Sequence, residues 1–218
     1  MSNFIDGYKH RGMRRMLVQQ IYRKGIRDER VLRAMEQVPR HAFMDSAFVE
    51  HAYQDKAFQI GEGQTISQPY TVAFQSELLQ VAPGQKVFEI GTGSGYQCAV
   101  LVAMRAQVYS IEYNLILHQR ARKKLRELGY RASLFHGDGS EGLVSHAPYD
   151  RILVTAGAPL VPDILIDQLR PQGRLVIPVG NRDRQEMLLI TKDEEGNVRQ
   201  KAYDFFSFVP LLGNQGWE

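Results

Sequence analysis

The second half of the chain alternates short apolar runs with amphipathic stretches. From residue 86 this pattern predicts five strands and three intervening helices. The strands are 86–90, 107–112, 131–135, 150–155 and 173–179, and the helices are 95–104, 114–128 and 161–169. Apolar strands alternating with helices are typical of a largely parallel sheet covered on both faces. Two further alternating stretches, 185–191 and 198–208, predict a hairpin that closes the sheet with an antiparallel strand.

The N-terminal part of the chain has a different pattern. Residues 11–37 carry apolar positions at helical spacing and predict two helices broken at Gly25. Residues 40–68 show no sustained period and predict an irregular segment. Pro69 is a favourable first residue for a helix that extends to Gln80. We therefore expect a helical extension before the sheet.

Length and composition fit one globular domain. A chain of 218 residues, 44% hydrophobic and 23% charged, is long enough to bury one α/β core and is not disordered in composition. The expectation is a single domain over 1–218, with an extension over 1–82 and a cofactor-binding core over 83–218.

A glycine-rich turn joins the first predicted strand to the helix that follows it. The run VFEIGTGSGYQ, residues 87–97, contains Gly91, Gly93 and Gly95. Strand, glycine turn and helix form the first half of a nucleotide-binding βαβ unit. Glu112 ends the second strand, 21 residues after Gly91, close to the ~20 typical of an acid that accepts hydrogen bonds from ribose hydroxyls.

The glycine spacing separates two cofactor classes. A dinucleotide fingerprint, G-x-G-x-x-G, would need glycine at the position of Tyr96. Glycines at 91, 93 and 95 match the G-x-G-x-G loop of enzymes that use S-adenosylmethionine (SAM) better. A NAD(P) dehydrogenase and a glycine turn without any ligand are the weaker alternatives.

Two more loops follow predicted strands and should meet the glycine turn. They are the Gly137–Gly139 loop, which contains Asp138, and residues 155–157, which begin with Thr155. Asp138 follows the third predicted strand, where its carboxylate could accept a hydrogen bond from an adenine amine. In open α/β sheets, ligands bind beyond the carboxyl ends of the strands. The predicted cofactor site is Glu89, Gly91, Thr92, Gly93, Glu112, Asp138, Gly139 and Thr155.

Hydrolase and metal-centre chemistry find little support. The six histidines are scattered, no serine stands in a G-x-S-x-G elbow, and no Cys or His pair falls at i, i+3 or i, i+4. We therefore expect no metal.

The cysteine content and the first residues indicate a compartment. Cys98 is the only cysteine, which fits a reducing environment, and its place after the glycine turn favours a buried core residue. Residues 1–15 contain no apolar signal core, and no long apolar run occurs near the glycine loop. The expectation is a cytoplasmic protein without a membrane partner.

The net charge is +3, and part of it lies in residues 9–24, where six basic side chains alternate with apolar positions at helical spacing. A solvated helix face is the favoured interpretation, and a nucleic-acid patch is the alternative. No nucleic-acid partner is expected.

A second unusual segment, GQTISQP at residues 63–69, precedes the proline-started helix. Considered alone, its polar side chains could simply cap that helix. Together with VFEIGTGSGYQ (87–97) and GRLVIPVG (173–180), however, it resembles the protein-L-isoaspartate (D-aspartate) O-methyltransferases. Further matching segments are VPRHAF (38–43), AYQDKAF (52–58), SIE (110–112), GDG (137–139), APYDRILVTAGAP (147–159) and FVPL (208–211).

The resemblance implies a Rossmann-like SAM-dependent methyltransferase fold with the N-terminal extension covering the site. It implies methyl transfer from SAM to the α-carboxylate of L-isoaspartyl residues in damaged proteins, with D-aspartyl residues left open as acceptors. Ser67 would be the catalytic residue that binds the substrate carboxylate. The substrate pocket would be walled by Thr65, Ile66, Gln68 and Pro69. The alternatives are a SAM methyltransferase for a small molecule or RNA, and a SAM-binding module without activity.

Overall fold

The computed structural model describes residues 6–217, so the ends of the predicted 1–218 domain lie outside it. Six helices and nine strands are named here in chain order. They are α1 Tyr8–Arg23, α2 Glu29–Gln37, β1 Phe58–Gly61, β2 Gln64–Ile66, α3 Pro69–Leu79, β3 Lys86–Ile90, α4 Tyr96–Ala103, β4 Gln107–Glu112, α5 Leu115–Glu127, β5 Ser133–His136, β6 Tyr149–Val154, α6 Asp163–Asp167, β7 Leu169–Gly180, β8 Gln185–Lys192 and β9 Val198–Phe206. Short 3-10 turns cover Arg40–Phe43 and Ser46–His51.

Seven strands form the central sheet in the order β5-β4-β3-β6-β7-β8-β9. Strands β3 to β7 pair in parallel, while β8 is antiparallel to both β7 and β9. The Rossmann-like, mostly parallel sheet and its antiparallel closing strand are therefore confirmed. The strand order reverses beside β3, and ligands bind at such a switch point in open α/β sheets.

Both faces of the sheet are buried, because alternate side chains of each strand point to opposite sides. Val87 packs in the core that also holds residues of α1 to α4, whereas its neighbour Phe88 packs in the second core with Leu165 of α6. These two layers hold the carboxyl ends of β3, β4 and β6 in fixed positions.

The extension contains a hairpin that the irregular pattern of 40–68 did not predict. β1 and β2 pair antiparallel, with Phe58 opposite Ile66. Strands of four and three residues are too short to show a period. Their turn is Gly61–Gly63, and all three residues have positive φ. Glycine adopts that conformation without steric cost.

The predicted helix 161–169 was too long. α6 covers only Asp163–Asp167, and β7 already begins at Leu169 rather than at residue 173.

Within residues 6–217, no helix is long and apolar enough to cross a lipid bilayer.

Candidate active site

The glycine turn lies directly after β3, where the chain bends back before α4. Gly91 has φ +94°, and a Cβ on it would lie 2.5 Å from the Thr155 Oγ1. The Thr155 hydroxyl donates to the Gly91 carbonyl at 2.6 Å and contacts the Ile90 carbonyl at 3.0 Å. The loops after β3 and β6 are thus fastened to each other, and only glycine fits at position 91.

Glu112 joins the end of β4 to the same turn. Its Oε2 accepts a hydrogen bond from the Gly93 N–H at 2.7 Å, and its Oε1 accepts from the Asn114 N–H at 3.0 Å. The side chain is buried, with 7% of its surface exposed, and it lines the cavity. Each carboxylate oxygen retains lone-pair capacity for a further donor.

Glu89 lies beneath the turn and not in the cavity. It is fully buried and accepts a 2.5 Å hydrogen bond from Ser110, whose hydroxyl also contacts the Thr92 hydroxyl at 2.6 Å. Burial raises the pKa of Glu89 to about 8, although the Ser110 hydrogen bond lowers it. Glu89 is therefore neutral at pH 7, and it holds the Thr92 side chain in place through the Ser110 hydroxyl. The buried Cys98 thiol also has a raised pKa, because of burial and the nearby Glu89.

These loops enclose what we call the central cavity, at the carboxyl ends of β3 and β4. Predicted site residues that line it are Gly91, Thr92, Gly93, Glu112, Gly139, Thr155, Thr65, Ile66 and Ser67. The C-terminal residues Val209–Leu212 close one side. The matching segment FVPL (208–211) covers most of them, but no site role had been predicted for it. Glu89 and Asp138 are the two predicted cofactor residues that do not line it.

Asp138 binds the C-terminal segment of the chain. Its Oδ1 accepts from the Ser140 N–H and hydroxyl at 2.8 and 2.6 Å, and its Oδ2 accepts from the Asn214 N–H at 2.7 Å. Ser140 Oγ in turn accepts from the Gln215 N–H at 3.0 Å. Asp138 thus holds the segment that forms a cavity wall. The adenine contact predicted for its carboxylate stays a prediction.

Ser67 occupies the junction of two openings. It lines the central cavity and also a second depression, the side groove, whose other wall includes Asp204 to Val209 of β9 and the segment after it. Thr65 and Thr155 line both as well. Within residues 6–217 the Ser67 hydroxyl has no hydrogen-bond partner, while its carbonyl accepts from Arg40.

The polar side chains of GQTISQP do not cap helix α3, which was the alternative role for this segment. Gln68 is the N-cap residue of α3 and makes no side-chain cap hydrogen bond. Instead the Asp55 carboxylate, buried and paired with Lys24 at 2.6 Å, accepts from the Tyr70 N–H at 2.8 Å. Because Asp55 supplies the cap, the Ser67 hydroxyl is left for another partner.

Arg40, in the VPRHAF segment, holds this region in place. It is fully buried and donates to the carbonyls of Ala52, Ser67 and Lys56 at 3.0, 2.9 and 3.1 Å. Burial lowers its pKa to about 10, so the guanidinium keeps its charge at pH 7. Sequence reasoning gave Arg40 no role, because its three partners are main-chain carbonyls distant along the chain.

The remaining predicted substrate residues divide between the two openings. Ile66 lines only the central cavity, and Gln68 lines only the side groove. Pro69 is the buried first residue of α3 and lines neither. The structure thus brings Thr65 to Gln68 to one place and leaves Pro69 behind them as a helix start.

One group of possible metal ligands comes together away from this site. Asp6, His10 and His41 have ligand atoms within 4.8 Å of one another, which their sequence spacing had not suggested. The two imidazole rings stack with centroids 3.9 Å apart, and Asp6 pairs with Arg14 at 3.0 Å. The group therefore combines a ring stack and an ion pair with three closely spaced ligand atoms.

Comparison with known proteins gives a consistent result. Residues 12–216 match the family model described as protein-L-isoaspartate(D-aspartate) O-methyltransferase (PCMT). The chain is 58% identical over 97% of its length to a protein-L-isoaspartate O-methyltransferase of Cytophaga hutchinsonii, covering 96% of that protein. It is 54% identical over 95% of its length to one of Christiangramia forsetii, covering 97% of it.

Solved structures agree with the sequence comparisons. A protein-L-isoaspartate O-methyltransferase structure matches with a TM-score of 0.84 and 29% identity, covering 93% of this chain and 67% of that one. A putative protein-L-isoaspartate O-methyltransferase of Plasmodium falciparum, solved in complex with S-adenosyl-L-homocysteine, matches with a TM-score of 0.79 and 25% identity, covering 92% of this chain and 99% of that one. From motif, fold and relatives together, this chain belongs to the protein-L-isoaspartate(D-aspartate) O-methyltransferase family.

Proposed function

We propose that this protein transfers the methyl group of SAM to the free α-carboxylate of L-isoaspartyl residues in damaged proteins, and so initiates their repair. Family membership and relatives at 58% and 54% identity support this activity. The observation that carries the proposal is the Ser67 hydroxyl, free of partners among the described residues at the junction of the central cavity and the side groove.

The central cavity suits SAM in its chemistry. Glu112 offers a buried carboxylate to the ribose hydroxyls, and the glycine turn lets a ligand approach the main chain at Gly91 and Gly93. Thr92, Gly139 and Thr155 complete this side of the cavity. When bound there, SAM supplies a methyl group activated by its positively charged sulfur.

The acceptor needs no general base. An isoaspartyl residue carries its free carboxylate on Cα, because the main chain continues through the side-chain carbonyl. Such a carboxylate, with a pKa near ~4, is already ionised at pH 7. This explains why a His–carboxylate pair is not needed beside Ser67.

The protein's part is to orient and desolvate the carboxylate. Ser67 donates a hydrogen bond to the oxygen that does not attack, which leaves the other oxygen directed at the methyl group. A hydrogen bond to a charged group is worth about 1.5–3 kcal/mol. Arg40 fixes the Ser67 carbonyl, so that the hydroxyl is held on a rigid segment.

The product ester completes the chemistry without further catalysis. The neighbouring main-chain nitrogen displaces the methoxy group to give a succinimide, and hydrolysis of the succinimide returns some normal aspartate.

We place the enzyme in the cytoplasm, where the single buried Cys98 stays reduced.

The direct test is methyl transfer from tritiated SAM to a short synthetic isoaspartyl peptide. The expected product carries base-labile label, as a methyl ester does. A thermal-shift comparison should show stabilisation by SAM and none by NAD. Stabilisation by NAD alone, or label that enters RNA but no isoaspartyl peptide, would contradict the proposal.

A further inference from the structure

Helix α5 carries a local excess of positive charge. It holds five cations and one acid, Glu127, so its excess of charge is larger than the net +3 of the whole chain. The cations are Arg120, Arg122, Lys123, Lys124 and Arg126. Within the described part of the chain, none of them forms an ion pair or a side-chain hydrogen bond.

The basic N-terminal helix behaves differently. On α1 and the residue after it, Arg14, Arg15 and Lys24 pair with the carboxylates of Asp6, Glu36 and Asp55. The segment that the sequence had singled out as a possible anion patch is therefore partly neutralised, whereas α5 is not.

Three cations of α5 line a groove beside the central cavity. We call it the α5 groove, and its charged side is Arg120, Lys123 and Lys124. Its opposite wall is apolar and comes from the N-terminal extension and the hairpin, namely Ala42, Phe43, Met44 and Ile60. Gly93 and Ser94 line both this groove and the central cavity, so the two are neighbours.

We propose that the α5 groove binds an acidic segment of the protein substrate, as a second contact beside the carboxylate site at Ser67. The proposal rests on the proposed function and names a part of the substrate that the active site does not contact. Unpaired cations attract carboxylates of the substrate, and the apolar wall accommodates the apolar parts of a polypeptide. Charges at such a rim act mainly on association and so on KM.

The groove suits a polypeptide better than a nucleic acid. Asp45 and Glu127 also line it, and a continuous phosphate backbone would meet both carboxylates. Its one aromatic lining residue, Phe43, is 5% exposed and offers no face on which a base could stack. A peptide can set its acidic side chains against the cations and avoid the two acids.

The test uses two double variants with equal charge change and equal i, i+4 spacing on α5. R120Q/K124Q removes cations of the groove, whereas R122Q/R126Q removes cations of the same helix that do not line it.

Three isoaspartyl substrates are compared. One is a short neutral peptide, and two carry a four-residue Glu or Gln tract on a flexible linker of about ten residues, which spans about 17 Å.

We expect the kcat/KM of the wild type to be about two- to tenfold higher for the Glu-tract peptide than for the Gln-tract peptide. The difference should come from a lower KM and should disappear at high salt. R120Q/K124Q should lose this preference and R122Q/R126Q should keep it. The wild type and both variants should methylate the short peptide equally.

Equal use of both tracts by the wild type, or equal loss of the preference in both variants, would overturn the proposal. Groove-dependent binding of an RNA oligonucleotide in place of the Glu tract would also overturn it. Failure of the wild type on the short peptide would instead refute the proposed function.

Discussion

At the scale of single residues, the site depends on which polar atoms the fold has already satisfied. The Ser67 carbonyl is bound by Arg40, but its hydroxyl has no partner among residues 6–217. Asp138 is the opposite case, because three donors already occupy its carboxylate. The family resemblance identified Ser67, and the loop after the third predicted strand identified Asp138. Neither could distinguish the two cases, since the distinction depends on contacts from distant segments.

Replacing Ser67 with alanine should lower kcat for an isoaspartyl peptide and leave the Kd of SAM nearly unchanged. Loss of one hydrogen bond to a charged group corresponds to about 10- to 100-fold in rate. Steady-state kinetics and calorimetry measure the two effects, with the exposed Ser145→Ala as the control. If the affinity for SAM falls sharply while kcat is unchanged, Ser67 is a cofactor-binding residue instead.

Replacing Glu112 with alanine should weaken SAM binding by at least about 1 kcal/mol, because the ribose hydroxyls lose a charged acceptor and the Gly93 N–H loses its partner. Glu112→Gln keeps one acceptor oxygen and should have an intermediate effect. Calorimetric titration with SAM measures both, and an unchanged Kd for the alanine variant would remove Glu112 from the site.

Glu89 should make stability fall as pH rises. Its pKa is about 8 in the folded protein against an ordinary 4.5, so between these values the unfolded state releases a proton that the folded state retains. Its contribution therefore decreases by at most about 1.4 kcal/mol per pH unit across this window. Glu89→Gln should remove that slope in denaturant unfolding from pH 5 to 8, and Glu127→Gln should not. A free-energy difference from wild type that stays constant with pH would contradict the raised pKa.

At the scale of elements, the predictable parts are those with a long enough pattern. The strands from Lys86 onward and the glycine turn were predicted well, because buried parallel strands are apolar throughout and the turn requires glycine. The β1–β2 hairpin was missed because its strands have four and three residues. Its position also depends on the buried Arg40, whose contacts have no sequence signature.

The C-terminal segment is held by Asp138 together with hydrogen bonds to Gly157 and Ser140. Asp138→Ala removes the acceptor for the Ser140 and Asn214 N–H groups, so we expect about 1.5–3 kcal/mol lower stability and faster proteolysis after Leu212. The exposed Asp167→Ala is the control.

The affinity for S-adenosylhomocysteine distinguishes the two roles of Asp138. It should fall only moderately, since the cavity wall Val209–Leu212 loosens but no cofactor contact is removed. A large loss of affinity with unchanged stability would show instead that Asp138 contacts the adenine, as its place after the third strand had suggested.

At the scale of the whole molecule, we propose that the parallel sheet supplies the cofactor side of the site and the N-terminal extension supplies the substrate side. The central cavity draws on β3, β4 and β6, whereas Ser67 comes from the segment between β2 and α3. This division was predictable from the sequence, since the glycine turn and GQTISQP are separate motifs. Their meeting at one junction was expected only through the family resemblance, because the residues alone do not show how the extension packs on the sheet.

The central claim is that the junction selects a carboxylate placed as in L-isoaspartate over that of a normal L-aspartyl residue. In a normal aspartyl chain the acceptor carboxylate lies one methylene further from the main chain, and a misplacement of ~1 Å costs about 100-fold in rate. The decisive measurement is kcat/KM for tritiated-methyl transfer to two synthetic peptides that differ only in this linkage. We predict labelling of the isoaspartyl peptide at least about 100-fold more efficient than of its aspartyl counterpart. Equal labelling of the two peptides would contradict the account.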